Sequence, residues 1–128
     1  MNPNLYPPII LVVDDDESFR SATASLLRSC DWTVRAYASA IDLLAEINRG
    51  DVCLVISDVQ MPVMDGFTLL KQINALVRRI PVILITAYAT RDMIDKIGCS
   101  GAAGFFLKPL DDVRFLAQVK EIVNIPGR

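Results

Sequence analysis

The chain has 128 residues, 52% of them hydrophobic and 22% charged, which suffices for one domain with a full core and leaves no room for a second. Thirteen Lys and Arg against 15 Asp and Glu give a net charge of -2, without the basic excess of an electrostatic nucleic-acid binder. Histidine is absent, which removes His-dependent triads, His proton shuttles and most zinc catalysis.

The start, MNPNLYPP at 1–8, carries three prolines and reads as a loose arm; it lacks the basic-then-apolar order of a signal peptide. IILVV at 9–13 is short, aliphatic and apolar at successive positions, the pattern of a strand buried on both faces. Helical spacing follows over 17–29, with Phe19, Ala22, Leu26 and Cys30 on one face and Leu27 beside them. TVRAY at 33–37 is a weaker, more polar strand. Ser39 followed by Asp42 resembles a capping arrangement, opening a helix with Leu43, Leu44 and Ile47 inward and Gly50 after it. VCLVIS at 52–57 is the next strand, and Gly66, Leu69, Leu70 and Ile73 mark a third helix that stops before Pro81. PVILIT at 81–86 is the fourth strand. The segment 90–98 is the weakest helix, short and loosely held, because Gly98-Cys99-Ser100-Gly101 is poor helix material. GFFL at 104–107 reads as a last strand of the same buried kind. Asp111 and Asp112 then open a final helix with Leu116, Val119 and Val123 inward, since carboxylates suit a helix N-terminus. Residues 125–128 read as a tail or the start of a linker.

Five strand–helix units imply an α/β fold, a parallel sheet covered by helices on both faces. In such a doubly wound sheet, ligands bind beyond the carboxyl ends of the strands, where the strand order switches direction. The residues at those ends are therefore informative. Asp14, Asp15 and Asp16 follow the first run, Asp58 the third and Lys108 the last, while Thr86 ends the fourth. Carboxylates crowded together need a compensating cation. Oxygen-only donors favour a hard ion such as Mg²⁺, with Mn²⁺ as a substitute. A carboxylate beside that ion can attack phosphorus and form an aspartyl phosphate. Lys108 can pair with phosphoryl oxygens as a point charge, and Thr86 can donate a hydrogen bond to one of them. Each residue alone has a plainer reading: helix-N-terminal acids for the triplet, Asp16 above all, a loop acid for Asp58, a β-branched strand residue for Thr86, a snorkelling surface lysine for Lys108. Their joint arrival at successive strand ends is what points to chemistry.

Cys30, Cys53 and Cys99 are odd in number, widely spaced and without a CxxC pair, which fits reduced thiols and neither a disulfide framework nor a zinc site. Cys30 and Cys53 read as core thiols. No apolar run approaches the ~20 residues of a membrane span. A cytoplasmic location is expected.

Four pieces together, VVDDD at 12–16, SDVQMPVMDG at 57–66, ILITA at 83–87 and GAAGFFLKPL at 101–110, resemble the receiver domain of two-component response regulators, over about residues 8 to 124. The resemblance implies a flavodoxin-like, five-stranded doubly wound sheet of order 2-1-3-4-5, with residues 9–124 forming the receiver domain. It implies that Asp14 and Asp15 are the acidic metal-binding pair, that Asp58 is the phosphoacceptor and a metal ligand, and that Gln60 offers its backbone carbonyl to the metal. Thr86 would be the switch hydroxyl, Lys108 the lysine that completes the catalytic set, with the Lys108–Pro109 bond often cis, and Phe105 the rotating aromatic. The implied activity is a phosphorylation-controlled switch, fed by a sensor histidine kinase or phosphotransfer protein and acting on an output domain or partner, with slow self-catalysed dephosphorylation and dimers common on phosphorylation. Direct nucleic-acid binding and membrane attachment are not expected of this segment.

Departures from that pattern are specific. Phe105 lacks the hydroxyl of the commoner Tyr, Leu110 stands where Phe is usual, and IGCSG at 97–101 breaks the usual helix-forming stretch before the last strand. Gln60 and Tyr88 lie two residues beyond Asp58 and Thr86, positions that in the family it resembles influence how readily water reaches the acyl phosphate. Two other readings compete. A haloacid-dehalogenase type of Mg²⁺-dependent phosphohydrolase would use Asp14 and Asp16, two apart after the first strand, but the chain lacks a cap for substrate binding. A receiver-like interaction module that no longer uses phosphate would not require the intact acids, Thr86 and Lys108.

Overall fold

The computed structural model describes residues 7–124. Most of the arm expected at 1–8 and the tail at 125–128 lie outside the described residues; Pro8 belongs to the first strand. Elements alternate in chain order: β1 (Pro8–Val13), α1 (Glu17–Arg28), β2 (Thr33–Tyr37), α2 (Ala40–Glu46), β3 (Asp51–Asp58), α3 (Gly66–Asn74), β4 (Val82–Thr86), α4 (Arg91–Gly98), β5 (Gly104–Leu107) and α5 (Asp112–Val123). All strand pairings are parallel, in the order β2-β1-β3-β4-β5, so the five-stranded doubly wound sheet expected from the sequence is present. The strand order reverses at β1, whose Val13 pairs with Tyr37 on one side and Ser57 on the other. The residues just beyond this switch point, Asp14 and Asp58, are thereby neighbours.

The pleat divides the core in two. Ile9, Leu11 and Val13 pack with Leu43, Leu69, Leu70 and Ile73 on one face of the sheet; Ile10 and Val12 pack with Leu27, Phe115 and Val119 on the other. A one-residue slip of β1 would exchange the two sets, which is why its register is firmly set. Every helix begins at a side-chain cap: Asp16, Ser39, Asp65, Thr90 and Asp111 each accept a backbone N–H from the first turn. Each cap is worth about 1 kcal/mol and removes an otherwise orphaned donor.

Three expectations from spacing need correction. On α1 the inward residues are Thr23, Ala24 and Leu27, while Ala22 is exposed, because the buried stripe lies one position further along than the one traced through Phe19 and Leu26. On α5 the buried residues are Phe115, Val119 and Ile122; Leu116 and Val123 are only half-buried. And β5 is an edge strand, with Phe105 and Leu107 alternately exposed, so GFFL is not covered on both faces. The weak stretch at 90–98 does form a helix, α4, held by Ile97 as its one buried residue. Its GCSG sequence works as a stop. Cys99 caps it, Ser100 Oγ donates to Ile97 O and accepts from Ala102 N, and Gly101 takes φ +86°. No helix among the described residues is long and apolar enough to cross a membrane.

Candidate functional site

Strand ends deliver the site. Asp14 leaves β1 with its backbone N–H donated to Tyr37 O, and its carboxylate is 2% exposed. Its Oδ1 accepts from Asp16 N at 2.9 Å, and Arg20 Nη1 donates to its backbone carbonyl at 2.8 Å. Asp58, 6% exposed, ends β3 with its carbonyl accepting from Ser57 Oγ at 2.8 Å. Lys108 follows β5, across the cis Lys108–Pro109 bond from Pro109, and its backbone N–H is tied to Thr86 O at 2.9 Å. Its ammonium reaches between the two buried acids, 2.9 Å from Asp14 Oδ2 and 3.3 Å from Asp58 Oδ1. Carboxylate oxygens of Asp14, Asp15 and Asp58 all lie within 4.8 Å of one another.

Two like charges beside one lysine leave the site short of positive charge. Burial, and then the neighbouring Asp14 carboxylate, push the Asp58 carboxyl from 3.8 up to about 6, although Lys108 pulls the other way. For Lys108, burial by itself would lower the pKa. The hydrogen bond to Asp14 and the charge of Asp58 outweigh it and hold the ammonium above its usual 10.5. A hard cation among these carboxylates would relieve their repulsion. An all-oxygen set of three acids fits a divalent ion of the Mg²⁺ type.

A family model described as the response regulator receiver domain matches residues 10–120. The chain belongs to the response regulator receiver family. Among its relatives, the response regulator protein TodT of Pseudomonas putida is 32% identical over 117 residues, 91% of this chain and 52% of TodT. The transcriptional regulatory protein ZraR of Salmonella typhimurium is 38% identical over 102 residues, 80% of this chain and 23% of ZraR. A CheY-like receiver domain protein from Methanospirillum hungatei superposes with a TM-score of 0.82 at 28% identity, covering 92% of this chain and 94% of that one. The chain thus spans about half the length of the first relative and a quarter of the second. It is a receiver domain of two-component signalling.

In this receiver domain the residues expected from sequence fall into two groups. Asp14, Asp15, Asp58 and Lys108 converge. Thr86, fully buried, has its hydroxyl turned to Gln60, donating to Oε1 at 3.1 Å while accepting from Tyr88 N at 3.0 Å. Phe105 lies 38% exposed on the edge strand and outside the core. Asp16 is a cap: its Oδ1 accepts from Ser18 N and Phe19 N and is committed to α1. Two contacts had no signal in the sequence. Phe19, read only as an inward helix residue, places its ring centroid 4.2 Å from Lys108 Nζ, a cation–π contact. Gln60 brings its side-chain amide oxygen to the Thr86 hydroxyl.

The loop after Asp58 is strained at one point. Val63 sits at φ +71° and is 93% exposed, a left-handed conformation that a β-branched residue adopts only at a cost. Val63→Asn, which tolerates that region, is expected to stabilise the domain by about 1 kcal/mol. Urea midpoints would show it, and an unchanged midpoint would mean the loop relaxes freely.

Proposed function

We propose that this receiver domain is a phosphorylation-dependent switch in which Asp58 takes a phosphoryl group from the phosphohistidine of a sensor histidine kinase or phosphotransfer protein. The observation that carries this reading is the sharing of Lys108 by two buried carboxylates from separate strands, with a third close by. Asp14, Asp15, Asp58 and the backbone carbonyl of Gln60 would hold a Mg²⁺ ion, for which Mn²⁺ could substitute. When bound, that ion neutralises charge on the phosphoryl oxygens.

A carboxylate oxygen of Asp58 attacks phosphorus as the P–N bond breaks, and its electron pair stays with the departing imidazole. Lys108 already faces Asp58 and supplies positive charge to the new phosphoryl oxygens. Thr86 then turns its hydroxyl to one of those oxygens, and Phe105 with the surface around β5 carries the change outward to an output domain or partner. The cytoplasm, where such kinases present their phosphohistidine, is the proposed location.

Incubation with Mg²⁺ and acetyl phosphate tests the reading. A single phosphoryl mass shift, mapped to Asp58 and lost in Asp58→Asn, is expected. A label on Asp14 would replace the switch by a phosphohydrolase of the aspartyl-phosphate type. No label at all would leave a phosphate-independent interaction module.

A further inference from the structure

Thr86 carries one hydroxyl proton in a fully buried position. The oxygen accepts the Tyr88 N–H at 3.0 Å, and its one proton is donated to the amide oxygen of Gln60 at 3.1 Å. One proton cannot serve two acceptors. A phosphoryl oxygen on Asp58 and Gln60 Oε1 are therefore alternatives for the same donor.

The backbone around Gln60 keeps the competitor in place. Val59 N donates to Ile85 O of β4, the strand that carries Thr86, and Gly66 N of α3 donates to Val59 O, both at 2.9 Å, fixing the residue just before Gln60 between that strand and α3. A released amide has somewhere to go. A groove of about 430 Å³ adjoins it, lined by Gln60, Met61 and Asp65 on one side and Met93 and Lys96 of α4 on the other.

Resting on the reading of Asp58 as phosphoacceptor and Thr86 as switch hydroxyl, we infer that the Gln60 side chain is a positioning residue: it latches Thr86 in the unphosphorylated arrangement and sets how much of the phosphoryl group's interaction is spent on turning the switch. Its effect runs through Thr86 and is separate from the backbone carbonyl, which any residue at this position would offer.

Gln60→Met keeps length and backbone but removes the acceptor. With Mg²⁺ present, it is expected to bind beryllofluoride, a phosphoryl mimic, about three- to tenfold more tightly than the unmodified chain, as measured by titration calorimetry. In a Thr86→Val background the same substitution is expected to change affinity by less than about twofold, because the latch has no hydroxyl to hold. An equal change in both backgrounds would show that Gln60 acts by steric access, and no change in either would show that the hydrogen bond carries no weight; both overturn the latch while leaving the switch intact. Failure of the unmodified chain to take up beryllofluoride, or a phosphoryl label mapped away from Asp58, would overturn the underlying reading and the latch with it.

Discussion

Without divalent ions, the protein and its Asp58→Asn variant are expected to diverge in stability as the pH rises from about 4 to 6. In the folded chain Asp58 keeps its proton to about pH 6, against 3.8 for an exposed aspartate, so between those values the folded state binds more protons than the unfolded one. The contribution is fully present below 3.8 and is lost as the pH passes through about 6. A shift of this size corresponds to roughly 2–3 kcal/mol at this one group. The variant has no such group, and its stability curve should lack that descent, leaving it the more stable protein at neutral pH in a chelator. Urea unfolding at a series of pH values measures the difference, and parallel curves would show that Asp58 ionises in the folded state as it does in water. Added Mg²⁺ should return stability to the unmodified protein at neutral pH and return less to the variant, which lacks one of the proposed charged ligands.

The second large effect concerns Gly66, the first residue of α3. A Cβ at that position would lie 2.5 Å from the backbone oxygen of Asp58 and 3.1 Å from Val59 Cα. Neither atom belongs to a flexible side chain, so the loop after Asp58 or the start of α3 must move. Gly66→Ala is expected to cost about 2–3 kcal/mol, near 10 °C in melting temperature for a domain of this size. It should also slow labelling of Asp58, because the backbone displaced is that of the proposed phosphoacceptor itself. Gly98→Ala is the control. Nothing lies within 4 Å of its Cβ, it is the last residue of a helix, and alanine there should leave stability unchanged or raise it by up to about 1 kcal/mol. Calorimetric melting of the two variants separates close backbone approach from a general intolerance of alanine for glycine.

How much of this was legible beforehand depends on the range of the interaction. The strands were readable because three central ones are buried on both faces and so appear as unbroken Val, Ile and Leu runs; β2 matched its expected limits despite its polar character. The helices were readable in number, but not in which stripe faces the sheet. On α1 and α5 several apolar residues compete for the inward face, and contact with the neighbouring layer chooses Leu27 and Phe115. The exposure of Phe105 could not be read from GFFL, since an edge strand and a central one share the same local pattern.

The site shows the same division. The sequence by itself determined which groups reach the edge of the sheet, because a strand ends where its apolar run ends and the next residue, Asp14, Asp58 or Lys108, is carried to the same rim. Only the tertiary structure decided which of them meet. The ion pair between Lys108 and Asp14 joins residues 94 apart, and the Thr86–Gln60 hydrogen bond joins residues 26 apart. Hydrogen bonds and ion pairs act over about 3 Å. The partner of a side chain is therefore settled by the strand order and by the rotamers the packed neighbours allow, neither of which is written in the residues on either side of it.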